Sequence, residues 1–297
     1  MPMRQFIVAA TLALAIAGAA ASPTPAAAQQ TAIPRNSNVD VQYVGFRYQE
    51  LYDRLRKRQI LEELGQFLSP LRLQQKLTIR TTTCGVVNSF YDYTTHAINL
   101  CYELLDMIEN GAAVPASKLP PPPDPKTPLG LIPGVTRAEA IVGGIVGVAL
   151  HETGHAVFDI QQVPRLGREE DAADMIAGFI MLQFGNDVTR TMVKGTYNLM
   201  RHMYASNPSI DYNSMADVHS LNMQRAYNYL CLAYGKDAAS IKDLADAWLP
   251  PARKPDCANE YQQALSAFDK TIMPSVDQTL LAKVRGMQIL RADDSKL

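Results

Sequence analysis

Hydrophobic positions predict strands near the start of the chain and helices after them. Apolar residues in 48–68 recur at close to helical spacing, whereas the β-branched run 77–84 is typical of a strand. Residues 86–91 indicate a second strand, and a polar turn separates them from a third, 97–102. Because strands come early and helices late, we expect an α+β fold with a small N-terminal antiparallel sheet.

The rest of the chain carries helical patterns. The most apolar helix is predicted over 137–159 and begins at a Thr136-x-x-Glu139 capping box. Other helical patterns occupy residues 103–110, 168–184, 188–204, 214–234, 238–248 and 259–272. No repeat is visible, and a chain of this length can bury one large core. We therefore expect residues 42–297 to form a single domain.

Residues 111–134 form a proline-rich stretch that includes four consecutive prolines at 120–123. This composition predicts an extended surface loop. A loop this long is uncommon and is either functional or disordered. It immediately precedes the apolar helix 137–159, so it is placed to flank a cleft there; a flexible insertion is the alternative.

The N-terminus predicts export. Arg4 precedes the apolar, alanine-rich stretch 6–21, and small residues precede Gln29, as in a secretory signal peptide spanning 1–28. The polar residues 29–41 are expected to form a flexible mature N-terminus. No later apolar stretch reaches the ~20 residues of a membrane span. We expect a periplasmic or secreted protein without stable membrane insertion.

The charge balance argues against two classes of partner. The chain is 47% hydrophobic with a formal net charge of -1, which is typical of globular proteins. This near-neutral balance gives no reason to expect binding to nucleic acid or to an anionic membrane.

Export also changes how the four cysteines are interpreted, because an oxidising compartment favours disulfides. Of the three possible pairings, the local one is the simplest: Cys84 with Cys101 and Cys231 with Cys257. Free buried thiols are the alternative. The chain has no CxxC pair, which argues against a cysteine zinc site.

The candidate chemistry lies in the apolar helix, in the sequence HETGH. His151 and His155 are four residues apart, so they lie on one helix face, where both can bind one zinc ion. Glu152 lies beside that position and can take a proton from a water molecule. The motif is short, and a core helix with two surface histidines is the alternative. The apolar run 141–150 predicts a helix that is buried behind the site. This context favours the zinc site over a core helix with two surface histidines.

A catalytic zinc usually has three protein ligands. The metzincin pattern does not supply the third one here, because Phe158 and Gln161 occupy its positions. The next helix begins with four acidic residues, Glu169, Glu170, Asp171 and Asp174. Such acids can simply complement a helix dipole. An antiparallel return after one turn, however, would bring them past the two histidines.

The sequence Glu170-Asp171-Ala172-Ala173-Asp174 is similar to the ExxAD signature of gluzincin metallopeptidases. The resemblance implies that Glu170 is the third zinc ligand and that Asp174 hydrogen-bonds a ligand histidine. Such a carboxylate fixes the tautomer of the imidazole and raises its basicity. Glu169 is the alternative third ligand.

Two further segments match the same clan. Asn88-Ser89-Phe90 resembles the edge strand that pairs with the substrate backbone in small gluzincins, which implies a substrate-binding role for Asn88. The segment 219–225 resembles a His-Pro-x-x-x-x-Arg element, with Ser220 in place of the proline. That resemblance implies that His219, with Arg225, stabilises the oxyanion.

Roughly residues 45–270 resemble an exported bacterial family of gluzincin-like metallopeptidases of unknown function, which implies a zincin-like fold. The sequence thus predicts hydrolysis of a peptide or protein substrate, with one Zn²⁺ per chain and Glu152 as general base. Two alternatives remain: a zinc amide hydrolase acting on cell-wall peptide, and a non-catalytic, zinc-stabilised secreted binding protein. His96 and His202 match no motif and are expected at the surface.

Overall fold

The computed structural model describes residues 38–45, 47–112, 132–206 and 210–293. The predicted signal peptide, residues 29–37 and most of the proline-rich stretch therefore lie outside the described residues. Within them, four strands come early and helices follow, so the predicted α+β class is confirmed.

The sheet is mixed. Its strands are β1 (Val39–Tyr43), β2 (Leu77–Thr82), β3 (Ser89–Asp92) and β4 (Ala97–Cys101), in the order β1-β2-β4-β3. Only β3 and β4 are antiparallel, whereas β2 runs parallel to both β1 and β4. The prediction of an antiparallel sheet was wrong for these two pairs. Apolar patterns locate strands, but they do not give the crossovers that decide which strands pair.

The first parallel pair is joined by two helices, α1 (Gln49–Arg58) and α2 (Ile60–Leu68). The sequence predicted one helix there; the structure divides it at Gln59, whose φ of 57° is left-handed. β1 includes residues 39–41, which belong to the segment 29–41 that was expected to be flexible. That expectation was wrong for these residues. A five-residue strand in polar surroundings carries little apolar signal.

The helical region follows the sheet. It comprises α3 (Tyr102–Ala112), α4 (Arg137–Ile160), α5 (Glu169–Met181), α6 (Asn186–Ser206), α7 (Tyr212–Ala216), α8 (Asn222–Lys236), α9 (Ala238–Trp248), α10 (Cys257–Thr271) and α11 (Gln278–Arg285). Short 3₁₀ segments cover Pro251–Asp256 and Met273–Ser275. The pattern over 214–234 predicted one helix, which is wrong: α7 ends at Ala216 and α8 begins at Asn222. His219 therefore lies in a connection and not on a helix.

The central helix is α4, which the predicted capping box of Thr136 and Glu139 begins. Within the described residues it is long and apolar enough to cross a membrane, but 94% of its most apolar window is buried in the protein. It contacts α6 backbone to backbone. A Cβ on Gly143 would lie 2.2 Å from the carbonyl oxygen of Thr191, and one on Gly195 would lie 2.3 Å from that of Glu139.

Two disulfides brace the ends of this arrangement. Cys84 pairs with Cys101 at the end of β4, and Cys231 of α8 pairs with Cys257 of α10, so the predicted local pairing is confirmed. The surface position expected for His202 was wrong: this residue of α6 is only 6% exposed. His96 is partly buried and lies 3.0 Å from a carboxylate oxygen of Asp159.

Candidate metal centre and active site

The two histidines of HETGH point in the same direction from α4. Their Nε2 atoms are 3.3 Å apart, and both residues are buried. This follows from the four-residue spacing, which places both side chains on one helix face.

Glu170 reaches the same point from the first turn of α5. Its Oε2 atom lies 3.0 Å from Nε2 of His151 and 3.2 Å from Nε2 of His155. The approach depends on Gly154, because a Cβ there would lie only 2.8 Å from Cα of Ala173 in α5. The glycine of HETGH thus permits backbone contact between the helix of the histidines and the helix of the carboxylate.

The other nitrogen of each ring faces its own carboxylate. Nδ1 of His151 lies 2.8 Å from Asp174, and Nδ1 of His155 lies 2.9 Å from Glu169. A carboxylate that contacts one ring nitrogen is typical of histidines that bind metals, because it leaves the other ring nitrogen free to face the ion. Two imidazoles and the Glu170 carboxylate therefore fit a metal ion on the Nε2 side.

The electrostatics of this cluster follow from these contacts. Burial alone would lower the pKa of His151, but hydrogen bonds to Asp174 and Glu170 outweigh it and raise that pKa to about 9. Burial would raise the pKa of Glu170, yet its contacts with three histidine rings hold that pKa far below the usual range. The carboxylate of Glu170 is thus held ionised.

Asp174 is held in turn by two partners on α8. It accepts hydrogen bonds from Nε of Arg225 at 2.6 Å, from Nη2 of Arg225 at 2.9 Å, and from the hydroxyl of Tyr229 at 2.7 Å. Arg225 is only 6% exposed. It was predicted to stabilise the oxyanion; in the structure its guanidinium donates two of these hydrogen bonds to Asp174.

Glu152 lies beside the histidines and lines the same cleft. It is buried, and burial raises the pKa of its carboxyl group, although the neighbouring histidines partly offset this effect. A carboxylate with a raised pKa is suited to accept a proton near neutral pH and to return it.

His219 reaches the cluster from the connection between α7 and α8. Its Nε2 atom lies 2.9 Å from Oε2 of Glu170, and its Nδ1 atom lies 3.3 Å from Asp217. The connection is tied to the start of α5 by Arg168, which donates to Oγ of Ser220 at 2.6 Å. The structure thus brings together the two histidines, Glu170 and His219, which are separated by up to 68 positions in sequence.

A cleft of about 730 Å³ opens over these residues. Asn88 lines it, as do Ser89, Phe90 and Tyr91 of β3, which lies at one edge of the sheet. Asn88 itself immediately precedes β3, so the predicted strand 86–91 begins later than expected. Side chains that are largely apolar line it as well: Leu104, Val148, Met200, Met203, Tyr204, Ile210 and Leu221.

Sequence reasoning missed several residues at this site. Tyr93, in the turn after β3, donates a hydrogen bond to Glu169, which carries the contact on to His155. Tyr229, Arg168 and Gly154 were not singled out. No sequence motif points to Tyr93 or Tyr229. The close contact between Gly154 and Ala173 depends on how α4 and α5 pack, so the sequence alone does not show it.

Comparison with families of known proteins gives a match over most of the chain. The model of a family described as "Putative metallopeptidase" (DUF4344) matches residues 44–272, which is more than three quarters of the chain. A search of curated proteins and a search of solved structures each returned no match.

Proposed function

The chain belongs to the family described as "Putative metallopeptidase", and on that premise we propose that it is a zinc-dependent peptidase with a gluzincin-like site. The observation that carries the proposal is the convergence of three donor atoms. Nε2 of His151, Nε2 of His155 and Oε2 of Glu170 lie 3.0 to 3.3 Å from one another. Two imidazoles and one carboxylate are a donor set of catalytic zinc sites.

Zinc, when bound, lowers the pKa of a water ligand and polarises the scissile carbonyl group. The rest of the chemistry falls to side chains of the chain. Glu152 accepts a proton from the attacking water and passes it to the nitrogen of the leaving amine. Its burial supports this role, because burial raises the pKa of the carboxyl group in the direction of neutral pH. Asp174 and Glu169 keep the two imidazoles oriented.

His219 is proposed to stabilise the oxyanion by donating a hydrogen bond from Nε2. Its side chain is 39% exposed and lines the cleft, so it can face a substrate oxygen. Arg225 is left out of this step, because it is buried against Asp174.

The substrate is proposed to be an extended peptide or a segment of a protein. Among the described residues, β3 pairs with β4 alone in the sheet, so its other edge is proposed to pair with an extended backbone. Asn88 and Phe90 lie along that edge and line the cleft. Apolar residues of the cleft lining, such as Val148 and Met200, then accept a side chain of the substrate.

Export to the periplasm or the medium belongs to the proposal as well. It is supported by the signal-peptide features of residues 1–28 and by two disulfides, which persist in oxidising compartments. Recovery of the protein outside the cytoplasm with a mature N-terminus at Gln29 would support it. Recovery of the full chain in the cytoplasm with free thiols would contradict it.

The proposed reaction is tested with a broad peptide library, with the zinc-loaded wild type and with Glu152→Gln. Gln keeps the size of Glu but accepts no proton, so we expect turnover to fall by ~10²–10⁴-fold or more. The three metal-binding side chains are unchanged, and bound zinc should stay near one ion per chain. Wild-type turnover in the Glu152→Gln variant would contradict the mechanism.

The same assay separates the alternatives. Cleavage of a cell-wall peptide with no cleavage of the library would identify an amide hydrolase of another substrate class. No cleavage of either substrate at full zinc loading would identify a zinc-stabilised binding protein.

A further inference from the structure

We infer that His219 is a fourth metal-binding residue, so that four protein ligands close the resting site. The inference rests on the proposed function, because it takes the metal to lie between His151, His155 and Glu170. It extends that proposal by giving the Nε2 atom of His219 two positions. In the resting protein this atom binds the metal, and during turnover it faces the substrate.

The spacing of the donor atoms carries the inference. Zinc–nitrogen bonds of ~2.0–2.1 Å in a tetrahedron place neighbouring donors about 3.3 Å apart. Glu170 Oε2 lies 2.9 Å from Nε2 of His219, as close as it lies to His151 and His155. Donor atoms of His151, Glu170 and His219 all lie within 4.8 Å of one another. His219 therefore approaches the carboxylate of Glu170 as closely as the two helical histidines do.

The far side of the His219 ring supports the same conclusion. Its Nδ1 atom lies 3.3 Å from Oδ1 of Asp217, whose carboxylate also accepts a hydrogen bond from the backbone N–H of His219. All three histidines of the cluster thus have a carboxylate on Nδ1: Asp174, Glu169 and Asp217. This is the arrangement that orients metal-binding imidazoles.

The element that carries His219 is suited to leave the site. α7, which precedes it, has no buried residue, and its neighbours Ile210 and Val218 are 58% and 63% exposed. Two hydrogen bonds join the connection to Arg168 at the start of α5, through Ser220 and the carbonyl oxygen of Asp217. Both are exposed, so water can replace them when the connection moves. A catalytic zinc site keeps one position open, so turnover requires His219 to withdraw.

The test is metal affinity, measured by competition with a chelator and independent of any substrate. Zinc affinity is compared among wild type, His219→Ala, His155→Ala and His96→Ala. Loss of an outer partner of a ligand already costs about 10–100-fold in metal affinity. We therefore expect His219→Ala to weaken zinc binding by at least that factor. His155→Ala should weaken it further, and His96→Ala, a histidine outside the cluster, should leave it within about twofold of the wild type.

Two further measurements keep the result unambiguous. In Co²⁺-loaded protein, His219→Ala should change the visible ligand-field absorption, because a nitrogen ligand is replaced by water. Asp217→Asn should give a smaller loss of affinity, of about tenfold, as expected for an outer partner. Thermal unfolding with excess chelator should be the same for His219→Ala and wild type, which excludes a folding defect.

The outcomes separate this inference from the proposed function. A wild type that binds zinc tightly, with His219→Ala equal to it in affinity and in Co²⁺ spectrum, overturns the fourth ligand and leaves the peptidase proposal standing. A wild type whose zinc affinity is unchanged by His155→Ala overturns the metal site itself and, with it, both proposals.

Discussion

Oε1 of Glu169 lies 2.9 Å from Nδ1 of His155, on the side of the imidazole ring opposite to the nitrogen that faces Glu170. Neighbours in sequence thus contact the two different nitrogens of one histidine. Helical geometry accounts for this, since consecutive residues of a helix project about 100° apart. Of the two acids that the sequence offered as a third ligand, Glu170 is the one on the Nε2 side.

This relationship predicts different effects for the two acids. Glu169→Gln keeps an oxygen acceptor but removes the charge, so zinc affinity should fall by about 10–100-fold. Glu170→Gln removes the negative charge from a proposed ligand itself, so its loss of affinity should be clearly larger. Chelator competition measures both. A larger loss in Glu169→Gln would reverse the assignment. Tyr93→Phe removes the hydroxyl that contacts Glu169 and His155 but leaves both carboxylates in place, so it should give the smallest effect of the three.

A second prediction concerns the buried pair of Arg225 and Asp174. Removing one partner of such a pair typically costs about 3–5 kcal/mol, because the other charge is left buried. Arg225→Met should therefore lower the free energy of unfolding by about that amount, as measured by urea denaturation with excess chelator. Adding Asp174→Asn to Arg225→Met removes the carboxylate charge that has lost its guanidinium partner. The double variant should be less destabilised than the sum of the two single variants, and strict additivity would contradict the coupling.

A third prediction concerns Gly154, where an added Cβ would meet the backbone of α5. Gly154→Ala should force α5 away from α4 and withdraw Glu170 from the histidines. We expect a loss of about 1–3 kcal/mol in stability, as for other overpacked sites, together with weaker zinc binding. Gly185→Ala is the matched control, because a Cβ there meets no atom within 4 Å. Equal behaviour of the two variants would contradict the role of this contact.

A fourth prediction concerns pH. Burial lowers the pKa of His202 to about 4, whereas an unfolded histidine titrates near 6.5. The unfolded chain therefore binds this proton first as the pH falls. The contribution of His202 to stability is complete above about pH 6.5 and is lost as the pH falls towards 4.

His202→Phe removes this titration. Between pH 7.5 and 5.0, the variant should lose less unfolding free energy than wild type, by on the order of 1 to 2 kcal/mol. Urea denaturation with excess chelator at both pH values measures the difference and avoids effects of bound metal. Parallel pH profiles for the two proteins would contradict the assignment of a lowered pKa to His202.

The helical part of the fold was predictable because its signals are local. The capping box of Thr136 and Glu139 marked the start of α4, and apolar spacing placed most of the helices within a few residues. Strand pairing was predicted less well, because it depends on contacts between distant residues. β2 pairs in parallel with strands on both sides, and nothing within Leu77–Thr82 encodes that choice.

The candidate site likewise has residues that could be predicted from the sequence and contacts that could not. His151, Glu152 and His155 were identified from their spacing in one helix, and Glu170 and Asp174 from a family signature. The contacts of Glu169 and Arg225 with other side chains were not predictable from spacing, because they depend on how α5 and α8 pack beside α4. His219 was expected on a helix, whereas the break between α7 and α8 places it in a connection.

The glycines of α4 have a consequence for the passage of the chain through a membrane, if it is exported as proposed. While a segment passes through a translocase, it can move sideways into the lipid. A run of 18 or more apolar residues tends to remain in the bilayer as a membrane span. The most apolar window of α4 has a mean hydropathy of 1.3, and glycines at 143, 144 and 147 lie within the helix. Leucines in their place would prevent α6 from packing closely against α4. They would also make the segment more prone to remain in the bilayer. For an exported chain, small residues at these positions would thus serve both the folded core and the unfolded chain in transit.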